Sequence, residues 1–278
     1  MNAPKMPYYS QMMSFRKDID EIARDLIDAF KLKFSEKNKN TNSPLFRWLD
    51  FRSRYIDPKP RKTLKPDGFD ARIPIEAVSA LSDFIKQSEA GDNLNSYQST
   101  TIKRNDSSAM KPQFRTDGLW ADWGIHHVHL TESPSSSGEE FPARSDWLLF
   151  FLVFSNQLAL IDIRRHDEPN IFAAHDLVEK AIRSWPEFAA ECRIKGMQTE
   201  PISTTFEAVN FFRHAGAIRI VKVDDHAYLP PGFGFSAAAT PVKVGLQEDH
   251  VIRLAYSIVK FFITLMEKGY RWQQRKVF

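Results

Sequence analysis

An α+β fold is predicted from three features of the chain: an amphipathic helix near its start, a central block of short apolar strands, and helical periodicity that returns towards its end around one further hairpin. From Arg16 to Phe34 the residues Ile19, Ile22, Ala23, Leu26, Ile27 and Phe30 recur at helical spacing, with charged residues on the opposite face. A polar stretch leads to Pro44, and the segment from Pro44 to Pro66 carries seven basic and two acidic residues among its aromatics. A second helix is expected from Pro74 or Ile75 to about Glu89, with Val78, Leu81 and Ile85 inward and Gly91 beyond its end. Between Gly91 and Thr116 periodicity dissolves, which predicts a loop and a boundary. The organisation expected is a mainly helical part over 1–105 and, over 106–278, a central antiparallel sheet with an αβ C-terminal part.

Three runs read as strands: Trp120–Leu130, Asp146–Phe154 and Gln157–Arg164. The tight turn at Ser155, Asn156 and Gln157 makes them an antiparallel meander, with 131–145 as an exposed hairpin loop. Leu177, Val178, Ala181, Ile182 and Trp185 mark a helix starting near Ala173, and Pro186 starts a short one ending near Gly196. Thr204 and Glu207 have capping-box spacing for a helix that stops at Gly216. AIRIVKV, the turn Asp224–Asp225 and HAYL form a hairpin. The last helix, Asp249 to about Lys268, has only the narrow polar stripe Arg253, Ser257, Lys260, Thr264 and Glu267, which predicts burial inside the fold. The alternative for that helix is a subunit interface, with a second copy of the chain as partner.

Composition narrows the function classes. With 278 residues, 42% hydrophobic and 13% aromatic, the chain has material for a large core, which excludes a disordered or fibrous protein. A formal charge of +3 does not by itself mark a nucleic-acid binder. The one cysteine, Cys192, excludes a disulfide framework and a multi-cysteine zinc site; it falls in a helix as a core residue, and a cytoplasmic location is expected. No apolar h-region opens the chain, the run 147–154 is too short to span a bilayer, and 251–266 is interrupted by Arg253 and Lys260, so no membrane association is expected. A Gly-x-Ser-x-Gly elbow, a phosphate-binding Walker loop, a helical HExxH and a dinucleotide fingerprint are all missing, and PPGFGFS (230–236) reads as a turn.

The unusual cluster is GIHHVHL, which places His126, His127 and His129 within four residues. Strand alternation puts His127 and His129 on one face and His126 on the other. The third strand ends in IDIRRH, bringing Asp162, Arg164, Arg165 and His166 to its terminus. Two chemistries use such groups. In metal-independent RNA cleavage a histidine takes the 2′-hydroxyl proton, a cation stabilises the phosphorane and a second acid protonates the leaving oxygen; His127, His129, His166, Arg144, Arg164 and Arg165 supply those types, with no cofactor. In the metal reading His127, His129 and His166 ligate zinc or another divalent ion with an open fourth position, and Asp162 or a glutamate supports a ligand or activates water. Set beside both is the plainer expectation that a strand histidine is hydrogen-bonded structure, which is also the reading for His175, His214, His226 and His250.

Arg47, Trp48, Arg52, Arg54, Arg61 and Lys62, interleaved with Phe51 and Tyr55, are the residue types of an RNA-tracking surface. The plainer reading of this segment packs the aromatics inward and leaves the charges to solvent.

WGIHHVHL, the arginine-led strand Arg144–Phe154 and ALIDIRRH are together similar to the core of the RelE/HigB-like toxins, over about 119–167. The resemblance implies a small α+β fold that cleaves RNA, commonly at the ribosome and without metal. It implies a ribonuclease role for His166 and Arg144, with Arg164 or Arg165 on phosphate. WLDFRSRYIDPKPR, DWGIHHVHL and ALIDIRRH also resemble a recurring bacterial family of unassigned function, which carries no activity over. The function expected is therefore a metal-independent endoribonuclease, a toxin-like or defence effector acting on RNA with the ribosome or an inhibitory protein as partner. The alternatives are a non-enzymatic RNA- or protein-binding module and a metal-dependent hydrolase or nuclease.

Overall fold

The computed structural model describes residues 8–33, 43–99, 102, 117–131, 146–197, 205–237 and 240–267. Over these residues the fold is α+β, with helices preceding a central sheet and a smaller sheet among the later helices.

Helix α1 (Tyr8–Ala29) ends in a Schellman turn: Leu32 donates to Ile27 O at 3.0 Å, Lys31 to Asp28 O at 3.0 Å, and Lys31 takes φ +53°. Leu32 and Ile27 pack in one cluster, the apolar contact that accompanies such a stop. Helix α2 (Pro44–Arg54) starts at Ser43, whose hydroxyl accepts from Phe46 N at 3.0 Å, and has proline in its first turn. Phe30 meets Trp48, Phe51 and Tyr55 edge-on, so the aromatics of the basic segment point into the α1–α2 contact.

Strand β1 (Lys62–Leu64) pairs in parallel with the start of β4 (Gln157–Arg165). β4 pairs antiparallel with β3 (Trp147–Val153), and β3 with β2 (His126–His129), giving the order β1-β4-β3-β2. The expected meander is present, extended by a parallel strand from the N-terminal part. One sheet face, with Val128, Leu149, Phe151, Leu158 and Leu160, is covered by α3 (Val78–Ala90) and by Ile56, Leu94 and Tyr97. The other, with Leu148, Phe150, Leu152, Ala159 and Ile161, is covered by α4 (Gly118–Trp123), α5 (His175–Ser184) and α6 (Pro186–Cys192). Elements on both sides of residue 105 thus share one sheet and its core.

Three expectations are corrected. Trp120–Leu130 is not one strand: Asp117 accepts from Leu119 N at 2.8 Å and Gly124 takes φ +69°, so capping residues cut out the short helix α4 and leave β2 only four residues. In α3 the inward face is Leu81, Phe84 and Ser88; Val78 is 45% exposed because it opens the helix ahead of the contact, and Ile85 lies at the edge of the core. The segment after Gly91 is also not featureless, since Asn95 is buried and clamps Ile56 by accepting from its N at 2.8 Å and donating to its O at 2.7 Å.

Helix α7 (Phe206–His214) is capped by Thr205, one residue after the threonine expected, and β6 (Val221–Val223) and β7 (His226–Tyr228) form the predicted hairpin, joined by β5 (Arg193–Ile194). Helix α8 (Val242–Glu267) starts earlier than predicted and is not buried all round. Val244, Ile252 and Val259 face inward, while Leu254 is 53% and Phe261 60% exposed. The reason is that α8 meets α1 and α2 on one side only, with Ile252 against Ala23 and Leu45, and nothing among the described residues covers the Leu254–Ile258–Phe261 line. Among the described residues no helix is long and apolar enough to cross a membrane.

The 230–236 segment is the turn expected, and it is fastened to α4. Gly232 N donates to Asp122 O at 2.9 Å, and a Cβ on Gly232 would overlap the Ala121 carbonyl oxygen. Gly232→Ala is therefore expected to destabilise the fold by about 1–3 kcal/mol. Gly245, within α8 and with open space around it, has the opposite expectation: Gly245→Ala stabilises by about 0.5–1 kcal/mol. Urea-unfolding midpoints of the two variants check both signs.

Candidate functional site

Across the sheet, His127 stands beside Phe150 and then Asp162, and His129 beside Leu148 and then Arg164. These rows share a face because of an irregularity in β4. Phe151 pairs with Leu160 and Phe150 with Asp162, so Ile161 is the extra residue of a β-bulge. Without it, strict alternation would send Asp162 and Arg164 to the side opposite the histidines.

The closest catalytic-type contact is between His127 and Asp117. Nδ1 of His127 donates to Asp117 Oδ2 at 2.7 Å, while Asp117 Oδ1 caps α4. One carboxylate therefore ends a helix and fixes an imidazole, leaving Nε2 as the free lone pair of the neutral ring. Among the described residues Nε2 has no hydrogen-bond partner, and the side chain is 16% exposed. Phe172 lies against the ring at 4.9 Å. Burial opposes charge on Asp117, but the His127 contact and the Leu119 hydrogen bond outweigh it and hold the carboxyl below its ordinary range. Asp117 was not singled out from sequence; the signal that marks it is the capping pattern, Asp117 opening a helix that Gly124 closes.

His129 is buried and its ring lies 5.3 Å from that of the exposed His166, whose backbone N donates to Asp146 O at 2.7 Å. His127 and His129 are 6.3 Å apart, ring edge to ring. The three histidines proposed for either chemistry thus lie in sequence along one face. Among the described residues no group of three His, Cys, Asp or Glu side chains forms a metal-ligand set. Asp162, the suggested metal-site support, is buried and held by Lys180, with Arg164 at 3.4 Å and Arg72 at 3.8 Å.

The arginines of the strand end are engaged. Arg164 binds Glu168 through both of its forks and Asp176 at 2.7 Å, and those hydrogen bonds raise its already high basicity. Arg165 is exposed, hydrogen-bonded to Asp167 at 2.9 Å and lying over the Trp147 ring. Arg144 lies outside the described residues.

The basic aromatic segment divides. Arg54 is buried against Asp50 at 2.7 Å, and Arg61 is buried, donating to the Asp57 and Phe154 carbonyls. Trp48 and Arg47 are half-buried, whereas Arg52, paired with Asp57 at 2.8 Å, and Lys62 face solvent. The six residues do not form one continuous outward track.

Behind β2, on the face His126 shares with Phe151, lies a second polar group that sequence reading missed. Lys243 donates to Trp120 O at 2.8 Å with its ammonium over the Trp120 ring. Burial, only partly offset by Asp50, pushes the Lys243 amine down to about 7, and burial together with the Lys243 charge pushes His126 down to about 3, so His126 is neutral at ordinary pH. Cys192 is buried in the core, where burial pushes its thiol up to about 12, as suits a packing residue rather than a nucleophile.

Comparison with known proteins finds no family model, curated protein or solved structure that matches this chain.

Lys243 generates a pH-dependence with a definite sign. Between about 7 and its ordinary 10.5 the unfolded chain holds a proton that the folded chain has lost, so this group makes stability rise with pH across that window. Relative to Lys243→Met, wild type is expected to gain stability from pH 7 to pH 10. Urea midpoints that run parallel for the two proteins would show that the amine is not perturbed.

Proposed function

We propose that the protein is a metal-independent endoribonuclease whose general base is His127. The observation that carries this reading is the Asp117–His127 contact at 2.7 Å, with Nε2 left unpaired among the described residues and a second pair of imidazoles, His129 and His166, along the same face. Nε2 of His127 takes the 2′-hydroxyl proton as the 2′-oxygen attacks phosphorus. The 5′-oxygen then departs with a proton from His166, leaving a 2′,3′-cyclic phosphate and a 5′-hydroxyl end. Buried His129, its ring tilted against that of His166, orients it. Asp117 fixes the His127 tautomer and balances the imidazolium. The likeness of residues 119–167 to RelE/HigB-like toxins supports the same chemistry and suggests a toxin-like or defence effector. It would act in the cytoplasm on RNA, with the ribosome or an inhibitory protein as partner.

The second reading, a module that binds a protein partner without turnover, draws support from the exposed apolar line on α8. One assay separates the two. Labelled RNA incubated with wild type in excess EDTA is expected to be cut to cyclic-phosphate ends, and His127→Ala to lower the rate by about 10²–10⁴-fold. Asp117→Asn, which keeps the shape of the cap and removes the charge, lowers kcat with KM unchanged. RNA left intact by wild type, or cleavage that EDTA abolishes, overturns the proposal.

A further inference from the structure

Helix α7 has little apolar cover: Val209 is buried, whereas Phe206 and Phe211 are exposed. Its last turn instead sends Arg213 inward, where the side chain is only 12% exposed. Nε and Nη2 of the guanidinium both reach Asp122 Oδ2, at 2.8 and 2.7 Å, and Nη1 donates to Phe172 O at 2.8 Å. We propose that Arg213 is a positioning residue for the Asp117–His127 pair, a role whose effect on turnover rests on the reading of His127 as general base.

Both ends of α4 come under this one guanidinium. Asp122 lies in its last turn, and Gly118 opens it directly after Asp117. A Cβ built on Gly118 would lie 2.4 Å from both Cζ and Nη1 of Arg213, so the guanidinium occupies the space that a side chain at 118 would need. Six residues are too few to hold a helix through their own hydrogen bonds, so α4 keeps its shape through contacts of this kind. Asp117, whose two oxygens cap α4 and accept from His127, takes its place from that first turn.

Phe172 carries the hold to the imidazole from another direction. Its carbonyl accepts from Arg213, while its ring packs 4.9 Å from that of His127, with Phe150 at 6.0 Å. One side chain thus sets the acceptor of His127 Nδ1 through α4 and a wall of the ring through Phe172. The charge acts in the same sense: burial opposes ionisation of Asp117, and His127, the Leu119 amide and then Arg213 favour it. An anchor for α7 would need only the Asp122 contact. The bond to Phe172 and the seat against Gly118 tie the guanidinium to the supports of the imidazole itself, and they use the rigid planar fork that a lysine lacks.

The test uses the full chain labelled with ¹⁵N-histidine, the His127 signals being assigned by their loss in His127→Ala. In wild type the neutral ring carries its proton on Nδ1 and leaves Nε2 bare, which gives two well-separated ring ¹⁵N shifts. Gly118→Ala pushes aside the movable end of a flexible side chain while keeping its charge, and Arg213→Met removes the guanidinium. Both are expected to bring the two shifts together as the tautomers interchange. Both are also expected to lower kcat on labelled RNA in EDTA by about 10²-fold with KM unchanged, as lost orientation does. Arg213→Lys, which can still meet Asp122, recovers part of that rate. Thermal unfolding establishes that each variant is folded, and Gly118→Ala decides alone if Arg213→Met is not. Shifts that stay apart in a folded variant overturn the proposal, whether or not RNA is cut. Converged shifts with kcat unchanged overturn the role in turnover. Converged shifts in variants of a wild type that leaves RNA intact uphold the positioning and overturn the nuclease reading instead.

Discussion

β3 is the constraint on which the rest of the structure depends. Trp147–Val153 contains no charged residue, and Leu148 to Phe151 are wholly removed from solvent, so neither face of this strand can be left to water. A strand apolar on both faces needs a layer on each, and burying each Leu or Phe contributes about 1.5–3 kcal/mol. One layer is recruited from before the sheet in sequence, through α3, and the other from after it, through α5 and α6. Polar chemistry is thereby kept off the middle of the sheet. It collects at the edge strand β2 and at the end of β4, where the histidines stand.

The bulge at Ile161 then decides which groups meet. Two consecutive residues, Ile161 and Asp162, turn towards the same layer, and from there to the strand end the polar residues follow the face carrying His127 and His129. The cations that arrive are largely committed to local carboxylates, Arg164 to Glu168 and Asp176, and Arg165 to Asp167. Their fixed partners make them struts for the strand end.

Much of the architecture was legible because it rests on local patterns. The meander, the Asp224–Asp225 hairpin and the helix after Ala173 follow from alternation, turn residues and helical spacing, which need only a few neighbours. The alternation that separates His126 from His127 and His129 was legible for the same reason. What was missed depends on distant contacts. β1 is three residues whose partner lies ninety-five positions later. Asp117 is ten residues from His127 and reaches it only because α4 intervenes as a helix. Lys243 reaches Trp120 across 123 positions. The arginines of the basic segment looked interchangeable in sequence, yet Arg54 and Arg61 are inside and Arg52 outside, a difference that a helix phase and a buried aspartate create.

The parallel pairing of β1 with β4 has a consequence for the order in which the chain acquires its shape. Lys62, Thr63 and Leu64 find their partners at Gln157, Leu158 and Ala159, and α1 and α2 find theirs on α8. During synthesis, which delivers the N-terminus first, these early segments must wait for most of the chain before their native neighbours exist. Closing such long loops makes assembly of the N-terminal layer a late event, set by topology rather than by helix propensity. The early helices meet each other first, but the side of their contact formed by Ala23, Leu45 and Trp48 stays without its cover until α8 emerges. A chain built this way has its greatest need of chaperone protection while it is still incomplete.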